Sequence, residues 1–180
     1  MSASRRGLTV REASEDDAAD FGAFECSTGT WYEDEVQAYV REKALTHARE
    51  SSESYRLLVA VERARLIAVA AHTNDVLIMP DDGTCMAARL QVLAISVTDQ
   101  GRRLHGGTHL SDVLMATLIA DAMDRQRTDV ITAIVAGENL RSVALCERNG
   151  LHSQTRYSSR YLRLTGRLMR PGQPMTREEA

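Results

Sequence analysis

At 180 residues, 43% of them hydrophobic and 26% charged, the chain has the size of one domain with a full core and too much apolar content to stay disordered. No stretch reaches the ~18 consecutive apolar residues of a membrane helix, and the charged residues 1–7 are followed by no apolar run, so a cytoplasmic protein without membrane partners is expected. Three widely spaced cysteines, Cys26, Cys85 and Cys146, argue against a disulfide framework or a thiolate metal site; no metal is expected.

Residues 1–7 are expected to form a flexible N-terminus, 8–170 a single domain and 171–180 a flexible tail. Residues 8–13 alternate apolar and polar like a half-buried strand. Ser14 then reads as an N-cap, with Glu15, Asp16 and Asp17 in the first turn of a helix running to about Glu25. A break at 27–31 precedes a second helix over 33–49, with Val36, Tyr39, Val40 and Leu45 near one stripe, ending at 51–54. Two apolar, β-branched runs, 55–61 and 66–71, are joined by 62–65 as an antiparallel hairpin. Pro80, Asp81, Asp82 and Gly83 read as a turn.

Residues 89–97 follow as a strand, with Leu93, Ile95 and Val97 on one face and Leu90, Val92 and Ala94 on the other, so it is expected to be covered on both sides. Leu110, Val113, Leu114, Leu118 and Ala122 recur at helical spacing to about Gln126 and read as core. A buried strand over 130–135, a helix over 139–149 capped by Gly150, and a closing strand over 157–168, long or broken, with Leu162 and Leu164 on its apolar face, complete the domain. This order predicts an α/β protein with a mixed, mostly antiparallel sheet and helices on both faces.

Two segments carry chemistry. Arg102, Arg103, Leu104, His105, Gly106, Gly107 and Thr108 lie between the 89–97 strand and the following helix. A basic, glycine-containing loop at a helix start suits a pyrophosphate, because helix N–H groups point outward there and glycine lets the anion approach. Downstream, Asn139, Ser142, Leu145, Cys146, Gly150 and Leu151 fall at the spacing of a short helix closed by glycine.

In this order and separation the two segments resemble the GCN5-related N-acetyltransferase (GNAT) family, in which an Arg/Gln-x-x-Gly-x-Gly/Ala loop holds the pyrophosphate of acetyl-CoA and an Asn-led helix flanks its pantetheine arm. The likeness spans roughly residues 8–165, with its specific motifs between Leu90 and Leu151. The loop fits two registers. Arg102 as its first residue keeps the spacing from Val97 to Leu110 but puts His105 at the first glycine; Arg103 as its first residue keeps Gly106 and ends on Thr108. The first is preferred.

The resemblance implies a GNAT-like fold and an acyltransferase that moves an acetyl group from acetyl-CoA to a primary amine of a small molecule or peptide, by direct transfer in a ternary complex. Ile95, Ser96 and Val97 would pair with pantetheine and polarise the thioester, the 102–108 loop would hold phosphate, and Asn139 and Ser142 would line the other side. Asn139 reads equally as a plain N-cap. Trp31 and Tyr32 would border the acceptor pocket, with core packing the alternative for Trp31. Cys146 occupies the position where the family usually has a tyrosine that reprotonates the thiolate. It is expected to pack beside the cofactor, with Tyr157, Tyr161 or water as the acid.

Glu62, His72, Asp75, Asp99 and His105 are unranked candidates for the base, and His72 reads more readily as a buried structural histidine. A homodimer is in keeping with the family. Residues 1–90 hold ten basic against sixteen acidic side chains and residues 91–180 twelve against nine. The basic half ends in Arg156, Arg160, Arg163, Arg167, Arg170 and Arg177. That run raises two alternatives to weigh against a solvated strand face: a toxin-type enzyme acetylating aminoacyl-tRNA, with nucleic acid otherwise not expected as a partner, and, from Cys146 and His105, a non-catalytic CoA-binding module.

Overall fold

The computed structural model describes residues 7–50, 54–78, 83–104 and 106–168. The expectations for the termini, for His105 and for a turn at Pro80 to Asp82 lie outside those residues. Strands β1 (Thr9–Glu12), β2 (Tyr55–Glu62), β3 (Arg65–Ile78), β4 (Thr84–Ile95), β5 (Val130–Ala136), β6 (Ser153–Arg156) and β7 (Tyr161–Arg167) form one sheet in the order β1-β2-β3-β4-β5-β7-β6. Every neighbouring pair is antiparallel except β4 with β5. Helices α1 (Ala18–Ala23), α2 (Trp31–Glu42) and α3 (Ala44–Glu50) cover one face of β2 to β4; α4 (Leu110–Gln126) and α5 (Leu140–Arg148) pack on the other. The mixed sheet with helices on both faces is the architecture the element order predicts. Among the described residues no helix is long and apolar enough to cross a membrane.

Local chemistry accounts for most boundaries. Arg63 and Ala64 both take positive φ, 52° and 60°, which gives the two-residue turn the right-handed twist a tight hairpin needs. At the start of α1, Asp17 is held by two hydrogen bonds from Arg11 at 2.8 and 2.6 Å and one from the Ser14 N–H at 2.8 Å. The first turn is 3₁₀ over Glu15–Asp17, and the helix stops at Ala23, short of Glu25.

Several expectations are corrected. The single helix over 33–49 is two helices that part at Lys43, so that Ala44 is fully buried and Tyr39, His47 and Tyr55 meet in a polar contact under the sheet. The closing strand is a hairpin: β6 was not visible in the sequence because all four of its residues are exposed and carry no apolar alternation. Tyr157 lies in the turn before β7, while Leu164 is fully buried and Leu162 packs against the core as expected. β4 begins at Thr84 rather than 89 and ends at Ile95; Val97 is 41% exposed in a 3₁₀ turn, Val97–Asp99. Val113 is only partly buried, whereas Leu110, Leu114, Leu118 and Ala122 of the same stripe are core.

His72 is fully buried on β3, and its Nε2 lies 2.8 Å from Asp121 of α4, which also accepts from Arg56 at 2.8 Å. Burial lowers the His72 pKa against the opposing pull of Asp121, and the ring ties helix to sheet rather than facing a cavity.

Candidate functional site

The site starts from one extra residue in β4. On the β3 side, Leu90 opposes His72 and Val92 opposes Ala71, which leaves Gln91 without a partner. A bulge of this kind bends its strand and reverses the side-chain alternation across it. Leu90 therefore joins the α4 core while Val92 and Ala94 join the core under α1 to α3, so the three do not share the face that strict alternation assigns them. Strands β4 and β5 pair only at Ala88 with Ile131, Arg89 with Thr132 and Leu90 with Ala133. Beyond the bulge β4 stays with β3 and β5 stays with β7, and the two parallel strands separate.

The opened edge of β4 has a definite polarity. The Ser96 N–H donates to Ile67 O at 2.9 Å. Antiparallel pairs alternate, so Ala94 with Val69 and Val92 with Ala71 are the other bonded pairs, and the N–H and C=O of Leu93 and Ile95 point away from β3, toward the gap. The Val97 N–H donates to Glu25 O at 2.9 Å. Of Ile95, Ser96 and Val97, only Ile95 thus turns its main chain away from β3, but its C=O accepts from Gln100 Nε2 at 3.3 Å and none of the three lines the cleft, whereas Leu93, which the sequence reading missed, does. Locating the bulge requires the β3 register, which no local pattern in β4 discloses.

The gap is a cleft of about 740 Å³. One wall is β4 from Leu90 to Leu93, the other is β5 from Ala133 to Ala136 with Asn139, Ser142 and Cys146 of α5. Asn139 Oδ1 accepts from the Ser142 N–H at 3.1 Å, so Asn139 is the N-cap of α5 and lines the cleft at once. Cys146 is 3% exposed, and burial, with Glu147 nearby, pushes its thiol up to about 11. The end of α5 lies hard against β7, where a Cβ on Gly166 would sit 2.2 Å from Gly150 O.

Past β4 the chain is knotted around Asp99, 3% exposed. Its carboxylate accepts from Ser96 Oγ at 2.6 Å, Arg65 at 2.7 Å, Arg102 at 3.0 Å and Thr98 at 3.1 Å. Arg102 also pairs with Glu62 at 2.8 Å. Arg102 is therefore committed to two carboxylates, whereas Arg103 is exposed and donates to Gly107 O at 2.7 Å. Three main-chain bonds shape the loop: Leu104 N–H to Thr108 O, Gly107 N–H to Leu104 O, and Leu110 N–H to Arg102 O. Gly106 and Gly107 have φ of 98° and 86°, a region that favours glycine, and a Cβ on either would meet nothing within 4 Å.

At the other end of the cleft stand Tyr32, Glu35 and Tyr161. Trp31 is half-buried and not core: its Nε1 donates to Glu138 at 3.1 Å, and its ring meets Tyr32 and Tyr161 edge-on, with Arg160 5.3 Å away over its face. The Tyr161 hydroxyl donates to the Glu35 carboxylate, a bond that, with partial burial, raises the tyrosine pKa. A second cavity of about 850 Å³ adjoins the first through Glu35, Gln91 and Tyr161 and extends to Arg89 and Tyr157.

None of Glu62, His72, Asp75 or Asp99 lines either cavity; the carboxylate that does is Glu35. It was missed because an acid on the exposed side of α2 reads as a solvated charge, and Tyr161 lies 126 residues away. The terminal arginine run does not form one patch. Arg160 stacks on Trp31, Arg163 on Tyr157, and Arg167 lies 3.6 Å from Asp129. Arg170 and Arg177 lie outside the described residues.

A seven-stranded mixed sheet whose two parallel central strands part at a bulge, with a glycine loop leading from the first into a long helix, is the fold of GCN5-related N-acetyltransferases. Solved structures agree. The GNAT domain of PAT from S. lividans superposes with a TM-score of 0.65 at 20% identity, over 89% of this chain and 90% of that one. The toxin AtaT, as a mutant bound to acetyl-CoA and the C-terminus of the antitoxin AtaR, gives 0.61 at 13% over 87% and 91%. The N-acetyltransferase PseH of Campylobacter jejuni gives 0.57 at 10% over 89% and 97%. No family model and no curated protein matches the sequence. At these identities the likeness is one of fold.

Proposed function

We propose that the protein is an acyltransferase that moves the acetyl group of acetyl-CoA to a primary amine of a small molecule or peptide by direct transfer in a ternary complex. The observation that carries this reading is the opened edge of β4, where Leu93 turns its main-chain N–H and C=O into a cleft walled by Asn139, Ser142 and Cys146 and lined also by a carboxylate, with the Ile95 N–H further along the same edge. A chain of amides such as pantetheine suits an edge of this kind, as an added strand would.

The residues present fit acetyl-CoA. Leu93 and the N–H of Ile95 would pair with the pantetheine amides, Gly106 and Gly107 leave open space where a diphosphate can approach the start of α4, and exposed Arg103, which no carboxylate holds among the described residues, rather than Arg102 supplies the positive charge. Acetyl-CoA supplies an activated acyl group in the form of a thioester. The chain's part is then to hold the amine and to move protons. Glu35 accepts the proton the amine must lose. Tyr161, hydrogen-bonded to Glu35, donates its hydroxyl proton toward the leaving sulfur and recovers one from Glu35, so the pair ends as it began. Cys146, buried and with its thiol raised to about 11, stays protonated near neutrality and packs against the cleft.

Calorimetry with acetyl-CoA and a thiol-release assay over a panel of amines test the proposal. Binding with turnover of at least one amine is expected. Tyr161→Phe should lower kcat by about 100-fold, the low end of what a positioned acid–base group contributes, with acetyl-CoA affinity unchanged. No heat and no melting shift at millimolar acetyl-CoA would reject the reading.

A further inference from the structure

The adjoining cavity is lined by an arginine that makes no ion pair or side-chain hydrogen bond among the described residues. Arg89 of β4 lines it, and the Arg89 Nε is closed off from solvent without a hydrogen-bond acceptor. The same is true of Nε in Arg163. The two residues share a sheet face. Arg89 opposes Thr132, Ile134 opposes Arg163, and Thr132 and Ile134, two residues apart on β5, point the same way. The Arg163 guanidinium lies 5.1 Å from the ring of Tyr157, another lining residue. Other arginines that reach inward in this protein are matched: Arg56 with Asp121 and Glu12, Arg102 with Asp99 and Glu62, Arg11 with Asp17. An arginine cannot shed its charge, and with its Nε sealed from water the Arg89 guanidinium is poorly solvated, so an anion meeting the part of it that lines the cavity would be stabilised.

Across the same cavity stands the opposite charge, Glu35 with its Tyr161 partner. A cavity lined by a carboxylate and by a guanidinium that forms no ion pair among the described residues, its nearest acid on that face, Asp75, being bonded to Thr132 at 3.3 Å, is complementary to a molecule that carries both an ammonium and an anion. Polyamines satisfy only the first. Resting on the acetyltransferase reading, we infer that the acceptor is a small zwitterionic amine of the amino-acid kind, whose carboxylate or phosphonate is held by Arg89, with Arg163 adding to the positive field, while its amino group lies toward Glu35. Arg89 is then a specificity residue, with no part in proton transfer.

The test pairs each of the twenty amino acids, and a set of aminoalkyl phosphonates, with its uncharged amide or ester, and adds spermidine and benzylamine. Thiol release and, independently of turnover, calorimetric binding of the N-acetylated products are measured. At least one anionic amine is expected to exceed its neutral counterpart by about 10- to 100-fold in kcat/KM, the range of one charge-assisted hydrogen bond; whether carboxylate or phosphonate leads identifies the anion. Arg89→Met should erase that preference through KM, with acetyl-CoA affinity and turnover of the neutral amines within about threefold, and Arg89→Lys should restore part of it. Equal rates for charged and neutral partners, spermidine as the best acceptor, or an equal loss for both classes in Arg89→Met would overturn the inference while leaving acetyl transfer standing. Failure to bind acetyl-CoA would instead remove the reading beneath it, and the product-binding measurement would still decide whether Arg89 selects an anion.

Discussion

Replacing Asp99 with asparagine keeps the side chain's size and removes its charge at the point where β4 gives way to the glycine loop. The wild-type carboxylate takes hydrogen bonds from Arg65, Arg102, Ser96 and Thr98 while 3% exposed. Removing one partner of a buried ion pair costs about 3–5 kcal/mol. Here Arg65 and Arg102 are 52% and 31% exposed, so both can return to water, and the amide oxygen keeps some of the hydroxyl bonds. A loss of about 2–3 kcal/mol is therefore expected, which in a domain of this size lowers Tm by about 5–10 °C. Burial by itself would raise the Asp99 pKa, but the hydrogen bonds from Arg65, Ser96, Arg102 and Thr98 together outweigh it and hold the carboxyl well below its usual range. A depressed folded-state pKa means that the stabilisation is complete above the ordinary carboxylate value of about 3.9 and is lost as pH falls through the folded-state value. Thermal melts of both proteins from pH 8 downward should show a constant Tm gap to about pH 5 that narrows below about pH 4. A gap under 2 °C at neutral pH, or one that persists undiminished in acid, would refute the argument.

Cys146→Ala should retain turnover within a few-fold and acetyl-CoA affinity unchanged, and the wild-type thiol should react slowly with iodoacetamide at pH 7 because it is buried and titrates at about 11. A loss of several hundredfold in kcat would make Cys146 the acid instead. Gly107→Glu places a side chain at φ 86° and a negative charge in the phosphate approach, and is expected to abolish acetyl-CoA binding in calorimetry while the protein still melts cooperatively. Gly166→Ala should cost more than about 3 kcal/mol, measured by denaturant unfolding, because its Cβ would meet the Gly150 backbone at 2.2 Å and neither strand nor helix end can give way. Stability within 1 kcal/mol of wild type would show that α5 and β7 are less firmly apposed.

Periodicity and turn chemistry identified α4, the β2–β3 hairpin and β5, because each depends on contacts between residues near in sequence or on a face buried along its whole length. The loop over 102–108 and the Asn139 cap were legible for the same reason: a strand, a glycine loop and a helix start are consecutive, and an N-cap bonds three residues ahead. Polar edge elements such as β6 were not, since an exposed strand has no apolar signature.

What the sequence alone determined was the layered arrangement of sheet and helices, the glycine loop before α4 and the Asn139 cap that lines the cleft, all of them local patterns. Only the tertiary structure decided the chemistry of the cleft itself. The Gln91 bulge exists as a mismatch between β3 and β4, the roles of Arg102 and Arg103 separate only when Glu62 and Asp99 are in place, and the meeting of Glu35 with Tyr161 and the placing of Arg89 on one face with Arg163 join residues on different elements. Local sequence specifies which backbone shape a segment prefers; which charges find partners, and which do not, depends on long-range packing that brings distant segments together.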